Sequence, residues 1–295
     1  MRNSTMFFWT AFCLCIHFAT AQQNPDYTLY KYHMNLVNPA YAGAGGTAQL
    51  ALGLRSQWAG IQGAPESRSA LFSMPVGANL GLGLSILSDQ VFIEKQTWVA
   101  LDFSYKLNLD DRHVLYLGLK AGGNSYSANT TRLVTYDMEQ DRGLMGIRDG
   151  LTHVNFGVGA YLKHSDYFIS LSSPKLLTFD YPLEKGDNNV YNGVFDKMNV
   201  YLAGGYDFKL GENLKFQVSS LLRYTGTSPL SLNVTSIFDF GLRFKLGTSY
   251  RINEALGGIF MFDVSSGFGI GYVHEVPVNN VENNGSHELF MRFSI

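Results

Sequence analysis

From residue 240 to residue 251, apolar and polar side chains alternate with a period of two. Phe240, Leu242, Phe244, Leu246 and Tyr250 fall on one face, and Arg243, Lys245, Ser249 and Arg251 on the other. An extended strand with this spacing turns one face to an apolar phase and the other to water, whereas a 3.6-residue helical turn would scatter the charges around its axis. The pattern recurs along the chain. Leu50, Leu52 and Leu54 oppose Gln49, Arg55 and Gln57, and Phe216, Val218 and Leu222 oppose Lys215, Gln217, Ser219 and Arg223. With these three segments (49–58, 215–224 and 240–251), alternation at 67–74, 79–87, 96–107, 113–123, 154–163, 167–172, 199–208, 230–238, 256–264, 268–274 and 288–295 gives about fourteen strands, an even number as bacterial barrels require.

After residue 21 no apolar run approaches the ~18 residues of a membrane helix. If the chain lives in lipid, its backbone polar groups must then be paired in a sheet closed on itself. The links between strands sort by parity. Even-numbered links are short, as in Val76-Gly77-Ala78, His164-Ser165-Asp166 and Ser265-Ser266-Gly267, while the long stretches 124–153, 173–198 and 275–286 are links five, seven and thirteen. Short periplasmic turns and long external loops have this arrangement. The fold expected is all-β, a single transmembrane antiparallel β-barrel with both termini periplasmic. A secreted sandwich or a lipocalin-like binder would alternate too, but the many Arg and Lys residues on the inward polar face suit a wet lumen and not a dry core.

Hydrophobic residues are 46% and charged ones 16% of the chain, with 17 Tyr, 21 Phe and 31 Gly, as when apolar residues alternate with polar ones. A net charge of −2 without a basic run excludes a nucleic-acid surface. Arg2, the apolar residues 6–18 and Ala19-Thr20-Ala21 read as the parts of a secretory signal, with an apolar core too short for an anchor helix. The organisation expected is a signal peptide over 1–21, a periplasmic lead-in over 22–46 and a barrel over 47–295. Cys13 and Cys15 both lie in the signal, which leaves the mature chain without disulfides or thiolate ligands.

Motifs for chemistry are weak. His287-Glu288 lacks the second histidine of a zinc helix, and residues 137–143 open like a calcium loop whose glycine comes one place late. Gly81-Leu82-Gly83 and Gly267-Phe268-Gly269-Ile270-Gly271 precede no helix that could bind a phosphate and read as smooth spots in the lumen wall. No Gly-x-Ser-x-Gly elbow is present, although a hydrolase built from scattered residues stays open. Catalytic, cofactor and metal residues are therefore expected to be none.

More specific wording lies at 30–43, where Tyr32-His33-Met34-Asn35 precedes Asn38-Pro39-Ala40-Tyr41-Ala42-Gly43. Arg55-Ser56-Gln57-Trp58-Ala59-Gly60, Gly63-Ala64-Pro65, Gly81-Leu82-Gly83 with Asp89, and Gly285-Ser286-His287-Glu288 follow in order. This series resembles the PorP/SprF family of outer-membrane proteins of the type IX secretion and gliding systems. The resemblance implies a non-enzymatic barrel in the outer-membrane lipid that helps export or anchor a large surface adhesin through its C-terminal sorting domain, and that contacts periplasmic components. Partner contact is expected at Asn38, Pro39, Tyr41, Arg55, Trp58 and Pro65, and at the external loops, with a membrane-interface role open for Trp58. An outer-membrane pore or hydrophobic-solute transporter is the alternative.

Overall fold

The structure is a computed structural model that describes residues 27–129, 148–177, 198–225, 228–241, 243–278 and 284–295. Fourteen antiparallel strands make one closed barrel: β1 (Gln49–Ser56), β2 (Glu66–Val76), β3 (Leu80–Val91), β4 (Glu94–Asn108), β5 (Val114–Ala128), β6 (Arg148–Lys163), β7 (Tyr167–Ser173), β8 (Asn199–Lys209), β9 (Lys215–Thr225), β10 (Ser228–Asp239), β11 (Phe244–Arg251), β12 (Ala255–Ser265), β13 (Phe268–Pro277) and β14 (Ser286–Ser294). Each strand pairs with its sequence neighbours. β1 closes on β14, with Gln49 opposite Ser294 and Ser56 opposite His287. Closure leaves no unpaired sheet edge, which is what lets a sheet stand in hydrocarbon.

Side chains alternate as the sequence pattern requires, and inside out relative to a soluble protein. Asp102 is buried in the lumen while its neighbours Leu101 and Phe103 are exposed, and Lys120 is buried between exposed Leu119 and Ala121 of β5. Leu50, Leu52 and Leu54 stand on the outer face of β1, opposite in direction to buried Ala51, Gly53 and Arg55. A surface of this kind is stable only where the surroundings are as apolar as the side chains. Leu101 is 65% exposed at mid-strand. Leu101→Arg is expected to destabilise the folded barrel by about 2–4 kcal/mol in lipid; unfolding in urea from vesicles measures it, and an unchanged midpoint would contradict a hydrocarbon environment for this face.

One strand starts later than its pattern. Alternation runs from residue 240, but β11 begins at Phe244, because Gly241 turns the chain with φ +65° and its N–H donates to the Asp239 carboxylate at 3.1 Å. The even–odd pattern is thus carried through a turn. Leu242 lies outside the described residues, as do residues 1–26 with the expected signal, the acidic stretch 137–143 and most of the two longest links.

The turns following even-numbered strands share one end with the start of β1 and the end of β14, as strand parity demands. An aromatic belt marks this turn end on the outer face: Tyr206 and Phe208 lie 4.5 Å apart by ring centroid, Phe216 and Phe238 4.5 Å, Phe240 and Phe244 5.4 Å, and Phe268 and Phe293 4.6 Å. Girdles of aromatic rings flank the apolar band of outer-membrane barrels at the membrane interface.

Of the lead-in expected over 22–46, the described part, residues 27–46, lies inside the barrel, coiled into turns, a short helix α1 (Met34–Val37) and one 3-10 turn (Pro39–Tyr41). Leu29, Tyr30, His33, Met34 and Ala40 are almost wholly buried among Tyr116, Tyr161, Phe168, Val273 and Phe290 of the wall. Apolar lumen positions therefore find their partners in this plug, and each large side chain buried this way contributes about 1.5–3 kcal/mol.

Candidate functional site

A segment without sheet partners must satisfy its backbone polar groups elsewhere, and here the lumen wall supplies them. At the end of the barrel carrying the odd-numbered loops, Glu288 of β14 accepts the N–H groups of Thr28 and Leu29 at 2.8 and 3.0 Å. The same carboxylate meets Arg55 of β1 at 3.2 Å, and Arg55 meets Glu275 of β13 at 2.6 Å. Arg251, the last residue of β11, binds Glu275 at 3.2 Å, and the Thr28 hydroxyl donates to that carboxylate as well. Two guanidinium groups thus balance two carboxylates in a cluster closed to solvent. Charge-assisted bonds of this type are short and directional, and each member depends on the others.

Halfway along the lumen, Lys120 of β5 pairs with Asp102 of β4 at 2.8 Å and donates to the carbonyl of Asn35 at 2.9 Å. Ser172 of β7 donates to the Val37 carbonyl at 2.8 Å. The Asn-Pro-Ala-Tyr-Ala-Gly motif then forms the foot of the plug. Asn38 caps the 3-10 turn by accepting from Ala40 N–H at 2.9 Å, and its amide donates to the Ala160 carbonyl and the Ser170 hydroxyl at 2.9 and 2.8 Å. Pro39 opens the turn, where its missing N–H is harmless. Tyr41 meets Tyr161 edge-on at 5.4 Å. Ser104 donates to Ala42, Gly43 N–H donates to Ser73, and Lys163 donates to Ala44 at 2.6 Å, all close to the turn end.

Lumen glycines admit this close approach. A Cβ on Gly118 would overlap the backbone of Ala40, one on Gly81 the Ala42 carbonyl, and one on Gly159 the Asn38 side chain. Of the smooth spots expected from the sequence, Gly81, Gly83 and Gly271 face the plug, at Ala42, Asn35 and Leu29, while Gly267 and Gly269 face the wall itself, and Gly118 and Gly159 were not among the expected positions. A cavity of about 60 Å³ remains between plug and wall, lined by Tyr27, Tyr30, Trp98, Tyr201 and Lys175 among others. Lys175, in the segment after β7, stands 5.1 Å from the Trp98 ring, and burial pulls its ammonium pKa down to about 8.

Among the described residues at the loop end, the β1–β2 link lies across the mouth. Gln57 N–H donates to Pro65, Ala59 N–H to Gly285, and Phe92 N–H to Gly63, which stitches this link to its neighbours on both sides. Trp58 and Phe92 adopt φ of +48° and +53°, a region that side chains with a Cβ rarely occupy. Both rings and Ile61 are exposed. Strained backbone that presents aromatic side chains is a common mark of a working surface.

Of the residues expected at partner contacts, Asn38 and Pro39 are wholly buried and Arg55 nearly so, and Tyr41 is directed into the lumen. In this fold they hold the plug. Trp58 and Pro65 remain at the mouth. The ion cluster joins Arg55 to Glu275, Glu288 and Arg251, of which only Glu288 stood in a quoted motif. Strand parity was the signal for Arg251, which stands on the polar face of 240–251; Glu275 is placed in the link 275–286 by the sequence pattern, whereas β13 runs on to Pro277 and turns Glu275 to the lumen. His287 and Glu288 point to opposite faces, with His287 meeting Tyr272 outside at 2.7 Å. Among the described residues no three His, Cys, Asp or Glu side chains converge to hold a metal ion.

A closed fourteen-strand barrel with an apolar outer face, a belt of rings and a lumen filled by its own N-terminal segment defines a plugged outer-membrane β-barrel. The chain belongs to the PorP/SprF family: the family model described as type IX secretion system membrane protein PorP/SprF matches residues 19–293. Comparison with curated proteins gives no match. Among solved structures, the CymD monoaromatic hydrocarbon channel is similar at a TM-score of 0.52 and 10% identity, covering 90% of this chain and 93% of its own. The Acinetobacter baumannii outer membrane protein Omp33 is similar at a TM-score of 0.48 and 7% identity, covering 84% of this chain and 99% of its own. At such identities the likeness to CymD speaks to the fold alone.

Proposed function

We propose that this barrel, delivered by a secretory leader over residues 1–21, is a non-enzymatic adaptor of the type IX secretion and gliding machinery. It receives or anchors a large surface adhesin through that protein's C-terminal sorting domain at the loop end, and meets periplasmic components of the machine at the turn end. The observation that carries this reading is the plug. A lumen filled by twenty residues hydrogen-bonded to buried, ion-paired groups of the wall leaves the outer mouth and inner rim as the surfaces available for work.

The test is affinity purification of the tagged barrel from its native membranes in mild detergent. Co-purification of a surface protein carrying a sorting domain, together with periplasmic machine components, is expected. Trp58→Ala with Phe92→Ala is expected to weaken retention of the surface protein at least thirtyfold, on the ~2 kcal/mol or more typical of a buried aromatic anchor, with periplasmic partners retained. Purification of the barrel alone, with steady open currents in planar bilayers, would favour the pore or transporter instead.

A further inference from the structure

The contacts of the plug run in one direction. Thr28 and Leu29 are held at the loop end by Glu288, the third residue of β14, and by a cluster that includes Arg55, next to last in β1. Asn35 is held at mid-height by Lys120. Gly43 and Ala44 are held near the turn end by Ser73 and by Lys163, the last residue of β6. From there the chain passes directly into β1 at Gln49.

We propose that the plug is threaded through its own barrel with its N-terminal end at the outer mouth, so that whatever precedes Tyr27 is delivered to the cell exterior. This reverses the expectation of two periplasmic termini for the N-terminal end only: β14 still finishes at the turn end, where Ile295 N–H donates to the Ala48 carbonyl. A return to the periplasm would need a second pass through a lumen whose height the plug already occupies, from Glu288 past Lys120 to Lys163. The N-terminal segment therefore belongs to the side that meets an exported protein, at the same mouth as Trp58 and Phe92, and not to the side that meets periplasmic components. The inference rests on the orientation of the barrel and stands apart from the adhesin reading.

The experiment places a short epitope directly before Tyr27, and in separate chains after Gln62, after Gly77 and after Ile295, and probes intact cells with antibody before and after permeabilisation. Immunoblots of denatured protein confirm that each epitope is retained. The epitopes at Tyr27 and Gln62 are expected to label on intact cells, and those at Gly77 and Ile295 only once the membrane is opened. Labelling at Gln62 but not at Tyr27 on intact cells overturns the proposal, whether or not permeabilisation restores it. Labelling of Gly77 in place of Gln62 overturns it through the orientation. A second probe avoids the insertion: Asp26→Cys, in a mature chain otherwise free of cysteine, is expected to react with a membrane-impermeant maleimide on intact cells, and failure to react counts against the proposal in the same way.

Discussion

Glu288→Ala should destabilise the barrel by about 3–5 kcal/mol, the usual result of removing one partner from a buried ion pair. The substitution strips the N–H groups of Thr28 and Leu29 of their acceptor and leaves Arg55 with Glu275 as its remaining carboxylate in the cluster. Two orphaned amides and a half-neutralised guanidinium then share a site closed to water, so the outer end of the plug has every reason to leave it. Unfolding by guanidinium in detergent measures the first effect. Limited proteolysis measures the second, with new cleavage expected around residues 27–33 in the variant. Glu288→Gln keeps an oxygen for the amides and loses the charge for Arg55, and should fall between the two. Wild-type resistance and an unshifted midpoint for Glu288→Ala would mean that the cluster does not hold the plug.

The second large effect concerns the wall. Gly118→Leu puts a side chain where the backbone of Ala40 now lies, and Ala40 is bound into the turn capped by Asn38. Overpacking in a close-packed interior costs about 1–3 kcal/mol when neighbours can shift. Here the neighbour is main chain, so the expected outcome is expulsion of the foot of the plug with the barrel itself intact. In planar bilayers the wild type should be silent and Gly118→Leu should carry steady current. Gly258→Leu is the control, because a Cβ at Gly258 meets nothing within 4 Å and the position is on the exposed face of β12. Equal silence of both variants would show that the plug tolerates the intrusion.

Much of the barrel is legible in the sequence because its physics is local. Whether a side chain meets lipid or lumen depends on its parity within one strand, so Leu50, Leu52 and Leu54 could be assigned without knowing their neighbours. Closure followed from the even number of strands and from the sorting of loop lengths. The plug was not legible, because its burial depends on fourteen strands at once. Tyr30, Met34 and Asn38 show no alternation, and a segment without periodicity reads as a lead-in. The Asn-Pro-Ala-Tyr-Ala-Gly wording did reveal that these residues matter. It could not reveal that Asn38 is spent on Ala160 and Ser170, since those partners lie more than 120 residues away. The same holds for Arg55: its parity put it on the polar, inward face and a partner contact was expected there, but its carboxylates come from β13 and β14.

Arg55 and Glu288 have one more relation: they stand directly opposite each other where the first strand meets the last. That junction is the seam on which the cylinder finally zips shut, and it joins the two stretches of wall farthest apart in synthesis order. Because the amides of Thr28 and Leu29 dock on one lip of this seam and Arg55 forms the other, the stopper and the zip share a fastening, and a barrel shut empty would lack it.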